Sequence, residues 1–102
     1  MTREERINLA HNLSAPPEAL AKLSRDEDWS VKIEVAHNTS TPPETLAELS
    51  RDEDWNVRWD VAHNPSTPLE VLLILVVDDD EDVRERAERA LNKRVHCTHQ
   101  SG

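Results

Sequence analysis

The chain contains no phenylalanine or tyrosine, and a single cysteine, methionine and glycine among its 102 residues. With three tryptophans as its entire aromatic content and an apolar share of 36%, its core has to be assembled from leucine, valine and alanine. A compact globule of that composition is marginal, because a small domain buries a limited fraction of its surface. The lone Cys97 excludes an internal disulfide, and no cysteine group exists to hold a cluster cofactor. The longest apolar run, Val71 to Val77, falls far short of the roughly 20 residues that a membrane helix needs. The N-terminal MTREERINLA is charged and lacks the apolar segment of a signal peptide, so a reducing cytoplasm is the expected compartment. Positive charge is also scarce: 12 Lys and Arg against 21 Asp and Glu leave a net charge of −9. Nucleic acid and anionic membranes are therefore not expected partners, because both are bound through Lys and Arg that neutralise phosphate. Solubility and a basic protein partner are favoured instead.

What the chain does have is a period. Residues 10–35 and 36–61, aligned without gaps, agree at 18 of 26 positions, and residues 62–87 agree with 36–61 at 13. A fixed spacing of this size predicts one small unit stacked on copies of itself, each covering its neighbour. One domain is expected over residues 1–95, with a flexible tail over 96–102.

Within a unit, Thr41-Pro42-Pro43-Glu44 reads as a helix start. The threonine would cap the free amides, the proline would take the first helical position and the glutamate would return a bond to the cap. Thr67-Pro68-Leu69-Glu70 repeats the device, and Ala15-Pro16-Pro17-Glu18 keeps it without the hydroxyl. Leu46 and Leu49 then face inward at i and i+3, as do Leu20 with Leu23 and Leu72 with Leu75. This first helix is short, and the sequence leaves open whether it is α or 3₁₀. An acidic link, Asp52-Glu53-Asp54, leads to Trp55 and a second helix whose inward residues are Val57 and Val61, matched by Val31 and Val35. Carboxylates ahead of that helix favour its partial positive charge. Thr2 to Ala10 reads as a lone second helix acting as an N-terminal lid, opened by the capping box Thr2-Arg3-Glu4-Glu5, and residues 83–94 as a charged closing helix. The fold expectation is thus all-α: a solenoid of about three and a half two-helix units.

The run Val35 to Leu49 followed by Asp52 to Arg58, and again Val61 to Leu75 followed by Asp78 to Arg84, resembles the variant leucine-rich repeat of bacteria. The resemblance covers roughly residues 5–90. It implies a right-handed solenoid of alternating α and 3₁₀ helices that serves as a scaffold for protein contacts, with no general activity attached. Some members of that family carry an iron–sulfur cluster ahead of the repeats, but this chain lacks the cysteines, so no cofactor is expected.

Two other motifs compete and lose. Leu73 to Asp80 followed by Val83-Arg84 is similar to the first strand and acidic pair of response-regulator receiver domains, where the pair helps hold Mg²⁺ beside a phosphorylated Asp on a later strand. Only 22 residues follow Asp80 (102 − 80), and Leu72, Leu75, Asp78, Asp80, Val83 and Arg84 keep the 26-residue phase, so a helix is expected here. Asp78-x-Asp80-x-Asp82 is also similar to a calcium loop, but Val83 stands where that loop needs Gly and Arg89 where it needs a bidentate Glu.

The candidate surface follows from what recurs and what breaks the recurrence. His11, His37 and His63 form a row. At about 10 Å between packed units they are too far apart to share a zinc ion at about 2 Å from each nitrogen, so they read as helix C-terminal residues. Asn12, Asn38 and Asn64 read as turn residues bonding local backbone. Asp52, Glu53, Asp54, Asp78, Asp79 and Asp80 form a negative stripe that would dock a basic protein or, as an alternative function, occupy a nucleic-acid-binding surface by mimicry. Trp29, Trp55 and Trp59, the last of which replaces Ile33 in the repeat, are expected to fill gaps between units, and Trp59 is held as a contact candidate as well. His96, Cys97 and His99 are close enough in sequence to hold a metal, but a flexible tail is expected, and no metal site is assigned. In the third unit Leu73, Ile74, Val76 and Val77 replace Ala47, Glu48, Ser50 and Arg51. This apolar patch implies a cover, supplied either by the closing helix and tail or by a second copy of the chain. No catalytic residues are assigned, since every candidate repeats with the structural period. A non-catalytic protein-interaction scaffold is the expected function.

Overall fold

The computed structural model describes the backbone of residues 1–101 and the side chains of residues 1–94. It contains seven α-helices and, among the described residues, no strand: α1 (Arg3–His11), α2 (Pro17–Leu23), α3 (Trp29–His37), α4 (Pro43–Leu49), α5 (Trp55–His63), α6 (Leu69–Leu75) and α7 (Glu81–Ser101). The short helices are α, where the family resemblance implied 3₁₀. Leu73 to Leu75 lie inside α6, so the receiver-like run is not a β-strand. The last helix opens at Glu81 rather than 83, in step with α3 and α5, and its backbone continues through Ser101 rather than stopping at 94. The side chains of His96, Cys97 and His99 lie outside the described residues.

Local chemistry accounts for the boundaries. The capping box of α1 forms as its sequence predicts: the Thr2 hydroxyl accepts from the Glu5 amide at 3.1 Å, and the Thr2 amide donates to Glu5 Oε1 at 2.9 Å. The short helices start differently from expectation. Their N-cap residues are Pro16, Pro42 and Pro68, held in extended backbone with no side-chain cap. Thr41 and Thr67 fall one residue too early to cap. Each is buried, and its hydroxyl instead donates backward, Thr41 to the Val35 carbonyl at 2.7 Å and Thr67 to that of Val61 at 2.6 Å. These carbonyls lie near the C-terminal ends of α3 and α5, where each otherwise meets only the C-cap amide of Asn38 or Asn64 at 3.2 Å. The threonine therefore closes the preceding helix. Asp28 and Asp54 cap α3 and α5 through their carboxylates, which accept from the Ser30 and Asn56 amides at 2.9 Å.

The core repeats with the sequence period. Leu20, Leu46 and Leu72 are each fully buried, as are Val31, Val57 and Val83, and Ala10, Ala36 and Ala62. All belong to one apolar cluster. Each buried leucine contributes about 1.5–3 kcal/mol of transfer free energy. Helix α1 packs on α3, α3 on α5 and α5 on α7, while α2, α4 and α6 lie beside them. The radius of gyration is 13.7 Å, close to the roughly 13 Å of a compact domain of this length.

Candidate interaction surface

The acidic links are built largely for internal use. In each, the first aspartate accepts from the amide of the third: Asp26 from Asp28, Asp52 from Asp54 and Asp78 from Asp80, at 2.8–2.9 Å. The same first aspartate meets a cation from the preceding long helix. Arg6 Nε lies 2.9 Å from Asp26, Lys32 Nζ 2.8 Å from Asp52, and Arg58 reaches Asp78 through two bonds of 2.9 and 3.1 Å. Arg58 also donates to the Asp52 carbonyl at 2.7 Å and sits 3.2 Å from Asp79. Burial pushes the Asp78 carboxyl up, but the Asp80 amide and the Arg58 guanidinium outweigh it and hold the group below the usual carboxylate range. On the other partner, burial lowers the Arg58 pKa, and the hydrogen bonds and charge of Asp78 more than restore it, leaving it raised.

The six acidic candidates therefore divide. Asp52, Asp54, Asp78 and Asp80 are half-buried and occupied as caps and ion-pair partners; Glu53 and Asp79 are exposed. The tryptophans divide. Trp29 and Trp55 do not fill gaps: they open α3 and α5 and are 57% and 42% exposed. Trp59 is the packed one, resting against the core and stacked on the His63 ring at 5.1 Å between centroids. Trp29 and Trp55 stand at the first positions of their helices, whereas Trp59 shares a groove with Asp82, Glu85, Arg86 and Arg89 of α7.

The third-unit patch is exposed. Leu69, Leu73, Ile74 and Val77 show 49, 55, 56 and 77% of their surface, while Val76 is half-buried against the core. Helix α7 packs on α6, yet Leu73, Ile74 and Val77 stay exposed beside it.

The histidine and asparagine rows hold the molecule together in ways their local spacing hides. Asn38 is buried and donates to the carbonyls of Ala10 and Asn12 at 2.8 and 2.9 Å; Asn64 does the same to Ala36 and Asn38. Each also accepts from the serine amide two residues on, at 2.8 and 2.9 Å. These side chains thus shape their own turn and tie it to the previous one. His11 Nδ1 lies 2.9 Å from Glu34, and His37 Nδ1 lies 3.7 Å from Asp60. The His37 and His63 rings stack at 6.2 Å with 8° between planes, nearer than the helix spacing suggested. Parallel rings direct their in-plane lone pairs along separate lines, so closeness does not create a shared metal site. Among the described residues, no group of three or more His, Cys, Asp or Glu could hold a metal ion.

No protein-family model, curated protein or solved structure matches this chain. Its surface has to be read from its own geometry. No helix among the described residues is long and apolar enough to cross a membrane. The cation-to-aspartate pairs are the feature that sequence reasoning missed. Their signal was present, because Arg6, Lys32 and Arg58 each precede an aspartate by 20 residues. A strict repeat makes every such spacing recur, so recurrence alone could not single this one out.

Proposed function

We propose that this chain is a non-catalytic protein-interaction scaffold, a right-handed solenoid of the variant leucine-rich repeat type. Supporting the solenoid reading are the burial of the same positions every 26 residues and the side-chain ties that run from each turn to the one before it. The observation that carries the functional reading is the exposed apolar face of α6. Leu73, Ile74 and Val77 stand in the open at positions that the earlier copies fill with Ala47, Glu48 and Arg51. An exposed apolar cluster on an otherwise charged surface is the usual mark of an interaction site. Trp29 and Trp55 add two aromatic anchors of the kind enriched at protein contacts. The mimicry reading draws less support, since Asp52 and Asp78 are already paired with Lys32 and Arg58.

The test is capture of proteins from native extract by the wild-type chain and by Ile74→Glu/Val77→Glu, washed at high salt. A protein retained by the first and lost by the second supports the scaffold. Identical retention by both refutes the role of this face. Solution mass of the same pair reports whether the occupant is a second copy of the chain.

A further inference from the structure

The histidine row changes partner at its third member. His11 faces Glu34 and His37 faces Asp60, each acid standing 23 residues ahead. The same step from His63 leads to Arg86. A cation thus stands where the earlier copies carry a carboxylate, and the electrostatics register it: burial lowers the His63 pKa first, and Arg86, His37 and Lys93 push it down further. The Arg86 Nε is buried without a hydrogen-bond partner among the described residues. Beside it, between the end of α5 and one side of α7, lies a cavity of about 540 Å³ lined by His63, Pro65, Arg86, Ala90, Lys93 and Arg94. Arg94 is anchored by a 3.0 Å bond to the Pro65 carbonyl, which fixes one wall. Among the described residues no Asp or Glu lines this cavity, in a chain of net charge −9. Arg86 also borders a neighbouring groove with Trp59, Asp82, Glu85 and Arg89, where Glu85 is paired with Arg89 at 2.8 Å.

We propose that this cavity is a binding site for a small organic dianion, a phosphomonoester or a dicarboxylate, held between His63, Arg86 and Lys93 with Arg94 at its wall. An arginine fork matches an oxyanion in shape as well as charge, and lysine adds a compact point charge. The volume falls within the range of small-ligand pockets, and Pro65 and Ala90 supply an apolar wall for a short carbon skeleton. The bound oxyanion restores beside His63 the negative charge that Glu34 and Asp60 supply to the other two histidines. This site is independent of the apolar face of α6, so either can fail alone.

The experiment follows the His63 ring proton by NMR across pH, with the signal assigned through His63→Gln. Inorganic phosphate and succinate are separate arms, each against chloride at matched ionic strength. Titration at higher pH with phosphate alone identifies the phosphoryl source, with succinate alone the carboxylate source, and with both a general dianion site. His11, on the far side of the molecule, should not move. Arg86→Gln should weaken binding of the effective probe about tenfold, the loss expected for one charge-assisted contact. Lys93→Gln, at an exposed position, gives a second reading if the arginine variant loses helicity. Equal behaviour of His63 in all three salts, a matching shift at His11, or undiminished binding by a folded variant overturns the proposal.

Discussion

Replacing Asn64 by alanine should destabilise this protein far more than the same change at Asn12, although both occupy one repeat position. Asn64 is 2% exposed; it donates to the Ala36 and Asn38 carbonyls and accepts from the Ser66 amide. The losses are unequal. Asn38 O retains the Thr41 amide at 3.1 Å, and Ser66 is exposed, so water can replace that bond. Ala36 is fully buried at the last turn of α3, and its carbonyl loses its side-chain donor in a place water does not reach. An orphaned buried group costs about 1–3 kcal/mol, and each replaced bond about 0.5–1.5 kcal/mol. The sum, about 2–6 kcal/mol, is a large part of the roughly 5–15 kcal/mol that holds a domain folded. The Asn12 side chain is exposed and accepts from the Ser14 amide at 2.8 Å, so Asn12→Ala should cost under about 1 kcal/mol. Urea unfolding followed by circular dichroism measures both, with the slope unchanged if the fold is retained. Midpoints that fall together for the two variants would refute the assignment of Asn64 as a tie between turns.

The ion pairs should show a similar contrast. Arg58→Ala removes a cation whose side chain is 13% exposed, opposite Asp78 at 9%; it should cost about 1.5–3 kcal/mol by removing charge-assisted bonds from a half-buried carboxylate that keeps the Asp80 amide. Arg3→Ala, where the arginine is 58% exposed beside Asp28, should cost at most about 1 kcal/mol by the same unfolding assay. Asp60 supplies a pH signature. Burial raises its carboxyl from 3.8 to about 6, against the lowering pull of His37. The folded state therefore binds a proton more tightly than the unfolded one, and this contribution to stability is lost as pH rises from about 4 through about 6. Asp60→Asn should remove that decline, seen as a smaller drop in urea midpoint between those limits; an unchanged drop would count against it. Ile74→Glu/Val77→Glu should alter stability by no more than about 0.5 kcal/mol per site, because both side chains already face solvent; a thermal melt checks this.

The repeat made much of the fold legible without coordinates. Alternating proline starts, inward leucines and paired valines placed six helices before α7 and named the core. Leu20, Leu46 and Leu72 are buried because helical spacing confines apolar side chains to one face, a constraint that acts over three or four residues. The same local reach explains the Thr2 capping box and the aspartate caps of α3 and α5. It failed at Thr41, where a shift of one residue exchanged a cap for a bond to the preceding helix, and at α7, expected over 83–94 and found over Glu81–Ser101.

Contacts between units were decided only by tertiary structure. Asn64 meets a carbonyl 28 residues away and Arg58 a carboxylate 20 residues away, and those partners depend on how far one helix is rotated against the next. Rotation also determines that Trp59 packs beside α7 while Trp29 and Trp55 stay exposed, though all three are equally apolar in sequence. It leaves the apolar face of α6 open and sets His63 beside Arg86. A 26-residue period dictates which positions are equivalent. Only packing dictates which neighbour each of them meets, because hydrogen bonds and ion pairs act over a few ångströms of space, whatever the distance along the chain.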